Sequence, residues 1–338
     1  MRISDKHRAM DASAKIYSPK QLQQTLASAA RAEELSVVHE QNCVVVDTRN
    51  LSKPMDLALL PNCPLIALHT ESAPTPSNPI LSHFDCVASE KELEQLLQSI
   101  HAQPVAASTL CHLLRQSHSA EIAQALTAES MAYSLLQSST GFRTWLRTRS
   151  NAIQVAPETA VVQLERAGSE LHIVLNRPEK HNAYNEQMRD ELSTALQLAV
   201  DDTSIQHVIL RGQGASFSAG GDLTEFGSVD DAGVAHLTRT TRSPALLLSK
   251  ISERITVEVQ GACIGAGIEL PAFCARIYAR EDAYFKLPEV ALGLIPGAGG
   301  TVSITRRIGR QATAKFALTG ITLNAQQALK MGLIDKLY

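Results

Sequence analysis

Residues 255–279 read ITVEVQGACIGAGIELPAFCARIYA: a β-branched alternating run (255–259), a string of small residues, then a mostly apolar stretch. Strand, glycine turn and helix in that order are the usual setting of a phosphate-binding loop. The small-residue run GACIGAGIE (261–269) instead closes on a carboxylate, Glu269, where an anion cradle wants a lysine or a free helix N-terminus. Ile268 and Leu270 flank it, and desolvation makes a charge there costly unless it has a purpose.

Two further glycine turns frame the question: GASFSAGGDL (214–223) and PEVALGLIPGAGGT (288–301). Neither carries GK[ST], and no strand–GxGxxG–helix with an acidic partner is present, so P-loop and dinucleotide readings fail. Taken singly, each loop is as well explained by the sterics of tight turns. Taken together they suggest more, because N–H groups from two glycine loops can converge on one oxygen and form an oxyanion hole. Glu289 lies twenty residues beyond Glu269, in the third loop. Two carboxylates beside an oxyanion hole point to general acid–base chemistry next to a carbonyl.

The chain divides near residue 150, at SNAIQVAPETA (150–160), into an N-terminal α/β-to-helical region (1–150) and a second half (151–338). In the first, residues 1–34 are polar and helix-prone. NCVVVDT (42–48) and CPLIALH (63–69) read as short buried strands, and ESAPTPSNPILS (71–82) as a loop. From Ser89 to Arg149 the pattern is helical. Ser89 and Glu92 make a capping-box signature, Pro104 starts a second helix, and TAESMAYSLLQSSTGFRTWLRTR (127–149) predicts one more. The second half alternates strands (171–178, 205–212, 255–259, and one ending near 278–281) with an amphipathic helix at 186–202. That order argues for an α/β domain with parallel pairing.

Composition narrows the function. The 338 residues are 44% apolar with a net charge of −3, so there is material for real cores and no basic surplus for nucleic acid. The cluster RRIGR (306–310) amounts to a surface patch at most. Six cysteines show no CxxC or His/Cys metal spacing, and buried free thiols in a reducing compartment account for them. The polar N-terminus lacks a secretory apolar core, and no run is long enough to span a bilayer. The expectation is a cytoplasmic protein without nucleic-acid or membrane partners.

The segments LNRPEKHNAYN (175–185), FSAGGDL (217–223), VQGACIGAGIELPAFCARIYA (259–279), FKLPEVALGLIPGAGGT (285–301) and LTGITLNAQQALKMGLIDKL (318–337) together resemble the crotonase, or enoyl-CoA hydratase/isomerase, superfamily, in the family's order. The resemblance implies a ββα spiral core that binds an acyl-CoA thioester, with coenzyme A entering as part of the substrate and no separate cofactor or metal. It implies an oxyanion hole from the backbone N–H groups of Gly221 and Ala266. Lys180, His181, Asn182, Ala183, Ala219, Asp222 and Leu223 would line the coenzyme A site. Both glutamates of the family's hydratases have counterparts, Glu269 and Glu289, which favours water addition to a 2,3-enoyl-CoA. A Δ3-Δ2-enoyl-CoA isomerase, needing only Glu289, is the alternative within enzymes, and a non-catalytic acyl-CoA-binding scaffold the alternative outside them. Homotrimers or hexamers are what the family suggests.

The chain departs from the family in ending just past MGLID, where relatives continue into helices that cover the site. Residues 85–115 resemble the passage following that motif, and residues 128–146 resemble the late helices. The N-terminal half therefore reads as a permuted or degenerate crotonase piece supplying those helices, without an active site of its own. An unrelated helical accessory domain is the competing account. His236, in the segment 224–251 that shapes the acyl pocket of relatives, could reach the site but is better read as a solvated helix residue.

Overall fold

The structure, a computed structural model, describes residues 15–70, 79–149 and 160–338. All but the last residue of the expected boundary at 150–160 and most of the 71–82 loop lie outside the described residues, as does the polar stretch before Lys15.

In the first half the chain forms a four-stranded, all-parallel sheet, in the order Ile16–Tyr17, Val44–Asp47, Leu65–Leu68, Cys86–Ala88. Parallel sheets are covered on both faces, which is why these strands read as unbroken apolar runs such as VVV and LIAL. Val44, Val46, Leu65, Ala67 and Val87 face a small core with Tyr17, Leu22, Leu26, Leu81 and Phe84. Val45, Ile66, Leu68, Cys86 and Ala88 belong to a second, much larger core shared with the rest of the chain. Helices Glu90–Ala102 and Pro104–Ser117 follow, the first with the expected Ser89–Glu92 contact: the Ser89 N–H donates to Glu92 Oε2 at 2.9 Å.

The single helix expected over 127–149 is two, Ile122–Gln137 and Thr140–Arg147. Ser139 adopts extended backbone and its hydroxyl accepts from the Phe142 N–H at 3.3 Å, so it caps a new helix rather than continuing the old one. The apolar periodicity of the sequence runs through the break and hides it.

The second half builds two sheets. The larger has six strands in the order Lys336–Leu337, Arg276–Ala279, Ile255–Val259, His207–Gly212, Glu170–Leu175, Val162–Ala167, parallel except for the last pair. The smaller pairs Ala262–Ile264 with Tyr284–Lys286, which in turn pairs with Leu323–Asn324. Successive passes of chain leave a strand in the large sheet, then an extended segment in the small one, then a helix, a ββα spiral. GACIGAGIE is thus more than a turn. Gly261 bends the chain out of one strand, and Ala262–Ile264 is a strand of its own before the one-turn helix Ala266–Glu269.

The two halves share one hydrophobic core, in which Ile66, Leu110 and Phe142 join Ile173, Ile268 and Phe316. Truncating a side chain as buried as Phe142 costs about 3–5 kcal/mol. RRIGR is a fastening between the halves rather than a surface patch. Arg306 Nη2 donates to the Ala120 carbonyl at 2.7 Å, and Arg310 reaches the Ser82 carbonyl at 2.6 Å and Asp85 at 3.2 Å. Buried Asp85 also holds Arg115 at 2.5 Å. All six cysteines are buried free thiols. Among the described residues no helix is long and apolar enough to cross a membrane.

Candidate active site

Ser218 begins the site. Its N–H donates to the Ala262 carbonyl and its own carbonyl accepts from the Ile264 N–H, both at 3.0 Å, so loop 214–223 lies alongside the Ala262–Ile264 strand. The two predicted oxyanion donors therefore come from adjacent, parallel segments. Among the described residues neither the Gly221 nor the Ala266 N–H donates to a protein acceptor. Two uncommitted amides side by side, at a half-buried and a buried position, are what an oxygen-binding pair requires.

Both nominated glutamates are at this place and both are buried, Glu269 2% and Glu289 9% exposed. Glu269 closes the one-turn helix; Glu289 opens the 3₁₀ turn Glu289–Leu292. Gly265 shows how close they come. A Cβ there would lie 2.4 Å from Glu289 Oε1 and 3.6 Å from Glu269 Oε1, so the missing side chain leaves room for both oxygens.

Their environments differ. Glu269 Oε2 accepts from the Ala298 N–H at 2.8 Å and the Gly300 N–H at 2.9 Å, at the start of helix Gly300–Ile308. Burial raises its pKa from 4.5 to about 7, with those two amides holding it down. Glu289 Oε2 is buried without a partner among the described residues. Burial, then the charge on Glu269, pushes the Glu289 carboxyl well above 4.5, with no amide donor on Oε2 among the described residues to offset it.

A third carboxylate, which the sequence reading did not nominate, completes the cluster. Glu129, from helix Ile122–Gln137 of the first half, is 2% exposed. Its Oε1 accepts from the Gly299 N–H at 2.7 Å, and its Oε2 from the Thr301 N–H at 2.9 Å and hydroxyl at 2.6 Å. Burial, then Glu269, raises it to about 8 against these donors. A signal was present. Glu129 stands four residues after Ala125, three before Ala132 and seven before Leu136, the apolar face of its helix. From the same half, the Tyr133 ring lies against Gly297, and Phe142 and Trp145 lie 6.5 and 5.9 Å from Phe226, whose ring covers Gly221.

The residues expected to line the coenzyme A site gather on one rim. The Ala219 N–H donates to the His181 carbonyl and the Asp222 N–H to the Tyr184 carbonyl, both at 2.9 Å, which binds loop 180–183 to loop 219–223. Lys180, His181 and Leu223 are exposed, while Ala183 and Ala219 are half-buried. Asn182 and Asp222 face inward. The Asn182 side chain accepts from the Arg177 N–H and donates to the Gln213 and Ser216 carbonyls; Asp222 pairs with Arg177 at 2.9 Å. Their side chains hold the rim together and leave surface contacts to their neighbours. His236 sits half-buried on helix Ala232–Thr241, its Nδ1 2.9 Å from Ser130 Oγ. Beside Ala298 and Gly299 a cavity of about 160 Å³ opens between helix Ile122–Gln137 and residues 239–246, bordered by Tyr184, Arg239 and Leu270.

Comparison with known proteins agrees with this architecture. The family model for enoyl-CoA hydratase/isomerase matches residues 165–338, more than half of the chain. A 2,3-dehydroadipyl-CoA hydratase of Escherichia coli (strain K12) is 37% identical over 170 residues, which is 50% of this chain and 65% of that one. The mitochondrial enoyl-CoA hydratase of Pongo abelii is 35% identical over 49% of this chain and 56% of its own length. The match thus spans less than two thirds of either relative. The crystal structure of an enoyl-CoA hydratase from Thermoplasma volcanium GSS1 superposes with a TM-score of 0.50 at 32% identity, covering 54% of this chain and 73% of that one. On the match of its second half, the chain is a member of the enoyl-CoA hydratase/isomerase family.

Proposed function

We propose that the protein is an enoyl-CoA hydratase, adding water reversibly across a 2,3-enoyl-CoA to give a 3-hydroxyacyl-CoA. The observation that carries this is the pair Glu269 and Glu289, two buried carboxyls sharing the space beside Gly265, one accepting from two amides and the other with an oxygen that has no partner among the described residues. Such a split assigns base and acid. Glu269 takes a proton from water as the water oxygen bonds to C3. The C2–C3 electron pair shifts toward the thioester oxygen, which the Gly221 and Ala266 N–H groups stabilise. Glu289 then gives its proton to C2, and the proton gained by Glu269 passes back to Glu289 as the next water enters. One oxyanion donor contributes about 10²–10³ in rate and a placed acid or base about 10²–10⁴. The carboxyls titrate as a coupled set.

In this reading Lys180, His181, Ala183, Ala219 and Leu223 form the coenzyme A rim, which Asn182 and Asp222 brace. Residues 1–150 serve as the permuted piece that covers the site, a role supported by Glu129, Tyr133 and Phe142 reaching it from that half. The test is turnover of crotonyl-CoA and of short, medium, branched and aromatic enoyl-CoAs, with double-bond migration assayed on matched 3-enoyl-CoAs. Glu289→Gln is expected to lower hydration by orders of magnitude while acyl-CoA still binds. Migration without hydration would overturn the assignment in favour of an isomerase.

A further inference from the structure

The four amides at residues 298–301 divide alternately between two carboxylates. Ala298 and Gly300 donate to Glu269, and Gly299 and Thr301, the latter with its hydroxyl as well, donate to Glu129. Each peptide unit is rigid and joined to the next by only two dihedrals, so holding the Gly299 and Thr301 amides restricts how the Ala298 and Gly300 amides can turn. Glu129 is anchored in a helix of 16 residues that packs on helices Ala232–Thr241 and Pro104–Ser117. Glu269, by contrast, hangs from a single helical turn. The rigid partner is Glu129.

We propose that Glu129 is a positioning residue: by fastening the Gly299 and Thr301 amides and the Thr301 hydroxyl, it aims the Ala298 and Gly300 amides at Glu269 and so fixes the orientation of the catalytic base. The first half of the chain thereby acts on the chemistry through a named side chain and does more than cover the site. Surface capping of a helix would not produce this pattern. The carboxylate is buried, it takes three donors, and they alternate with those of a second buried carboxylate 140 positions later in the sequence. Glu129 itself need not touch substrate. Its effect is transmitted through two peptide planes.

The proposal concerns the same site as the hydratase reading and rests on it for the kinetic arm alone. The experiment compares the full chain with Glu129→Gln, which keeps the shape but turns an amide N–H₂ toward one of the donors. Hydrogen exchange at the individual 298–301 amides is read by NMR, together with kcat and KM for crotonyl-CoA. The expected result is exchange faster by about tenfold or more at Ala298 and Gly300, which do not bond residue 129. A fall in kcat on the order of 10²-fold should accompany it, the usual size for a misplaced reacting group, with KM within about threefold. Unchanged exchange at Ala298 and Gly300, or faster exchange there with unchanged kcat, overturns it. Thr301→Val, which removes one donor and leaves Glu129 intact, repeats the exchange test if the Gln variant does not fold. Should the wild type turn over no enoyl-CoA, the hydratase reading fails while the exchange arm still decides on Glu129.

Discussion

Replacing Glu269 by glutamine should stabilise the protein at alkaline pH while disabling it. The Glu269 carboxyl has a pKa of about 7 in the folded chain against 4.5 for an ordinary glutamate. Below pH 4.5 both folded and unfolded chains carry the proton, and its contribution to stability is fully present. Between 4.5 and about 7 the unfolded chain releases the proton and the folded chain keeps it, so stability falls as pH rises. At about 1.4 kcal/mol per unit the loss is about 3 kcal/mol by pH 8. Glutamine has nothing to ionise, and its carbonyl oxygen can still accept both the Ala298 and Gly300 amides, as Oε2 does now. Glu269→Gln is therefore expected to match the wild type near pH 4.5 and to exceed it by about 3 kcal/mol at pH 8, with hydration lowered by about 10²–10⁴. Trp145, the single tryptophan, packs against Phe142 and Phe226 beside the site and reports urea unfolding by fluorescence. A variant no more stable than wild type at pH 8, or a difference that does not change with pH, refutes the reasoning.

Two structural predictions concern the junction of the halves. Asp85→Ala leaves Arg115 and Arg310 facing one another without a counter-charge, and it should cost about 3–5 kcal/mol in urea titration; a loss below about 1 kcal/mol would show that the pair is not a fastening. Gly293→Ala puts a Cβ 2.5 Å from the Phe142 nitrogen at a φ of 79°. Left-handed backbone alone costs about 1–2 kcal/mol for such a residue, so the whole penalty should exceed that. Because Gly293 ends the turn that carries Glu289, activity should fall as well; a variant of wild-type stability and rate would mean that helix Thr140–Arg147 can retreat without consequence.

Features set by local chemistry could be read from the sequence. ITVEV is a strand with the expected bounds, Ser89 and Glu92 meet, and Glu269, Glu289, Gly221 and Ala266 arrive at one place because their motifs each carry their own turn. What required the tertiary structure is whatever depends on partners distant along the chain. Glu129 bonds an amide 170 residues away, and only the register of two packed helices says which carboxylate on an apolar face will find a donor. RRIGR looked like solvated charge because Asp85 and the Ala120 carbonyl are nowhere near it in sequence. The break at Ser138–Ser139 was hidden for the opposite reason: both helices keep their apolar residues toward the same core, so periodicity continues where the backbone turns.

Three carboxyls in one buried cluster repel one another and resist desolvation, so the site is a local source of instability that packing elsewhere must offset. The offset lies in the shared core and its fastenings, which belong to neither half alone. Without residues 15–149, the Gly299 and Thr301 amides lose their acceptor, Gly221 keeps Phe226 but Phe226 loses Phe142 and Trp145, and one face of the core opens to water. Each loss falls beside Glu269, Gly221 or the amides between them and the first half rather than at the periphery. The division of the chain near residue 150 is therefore a division of sequence pattern. The unit that folds around the carboxylate cluster is built from both sides of it.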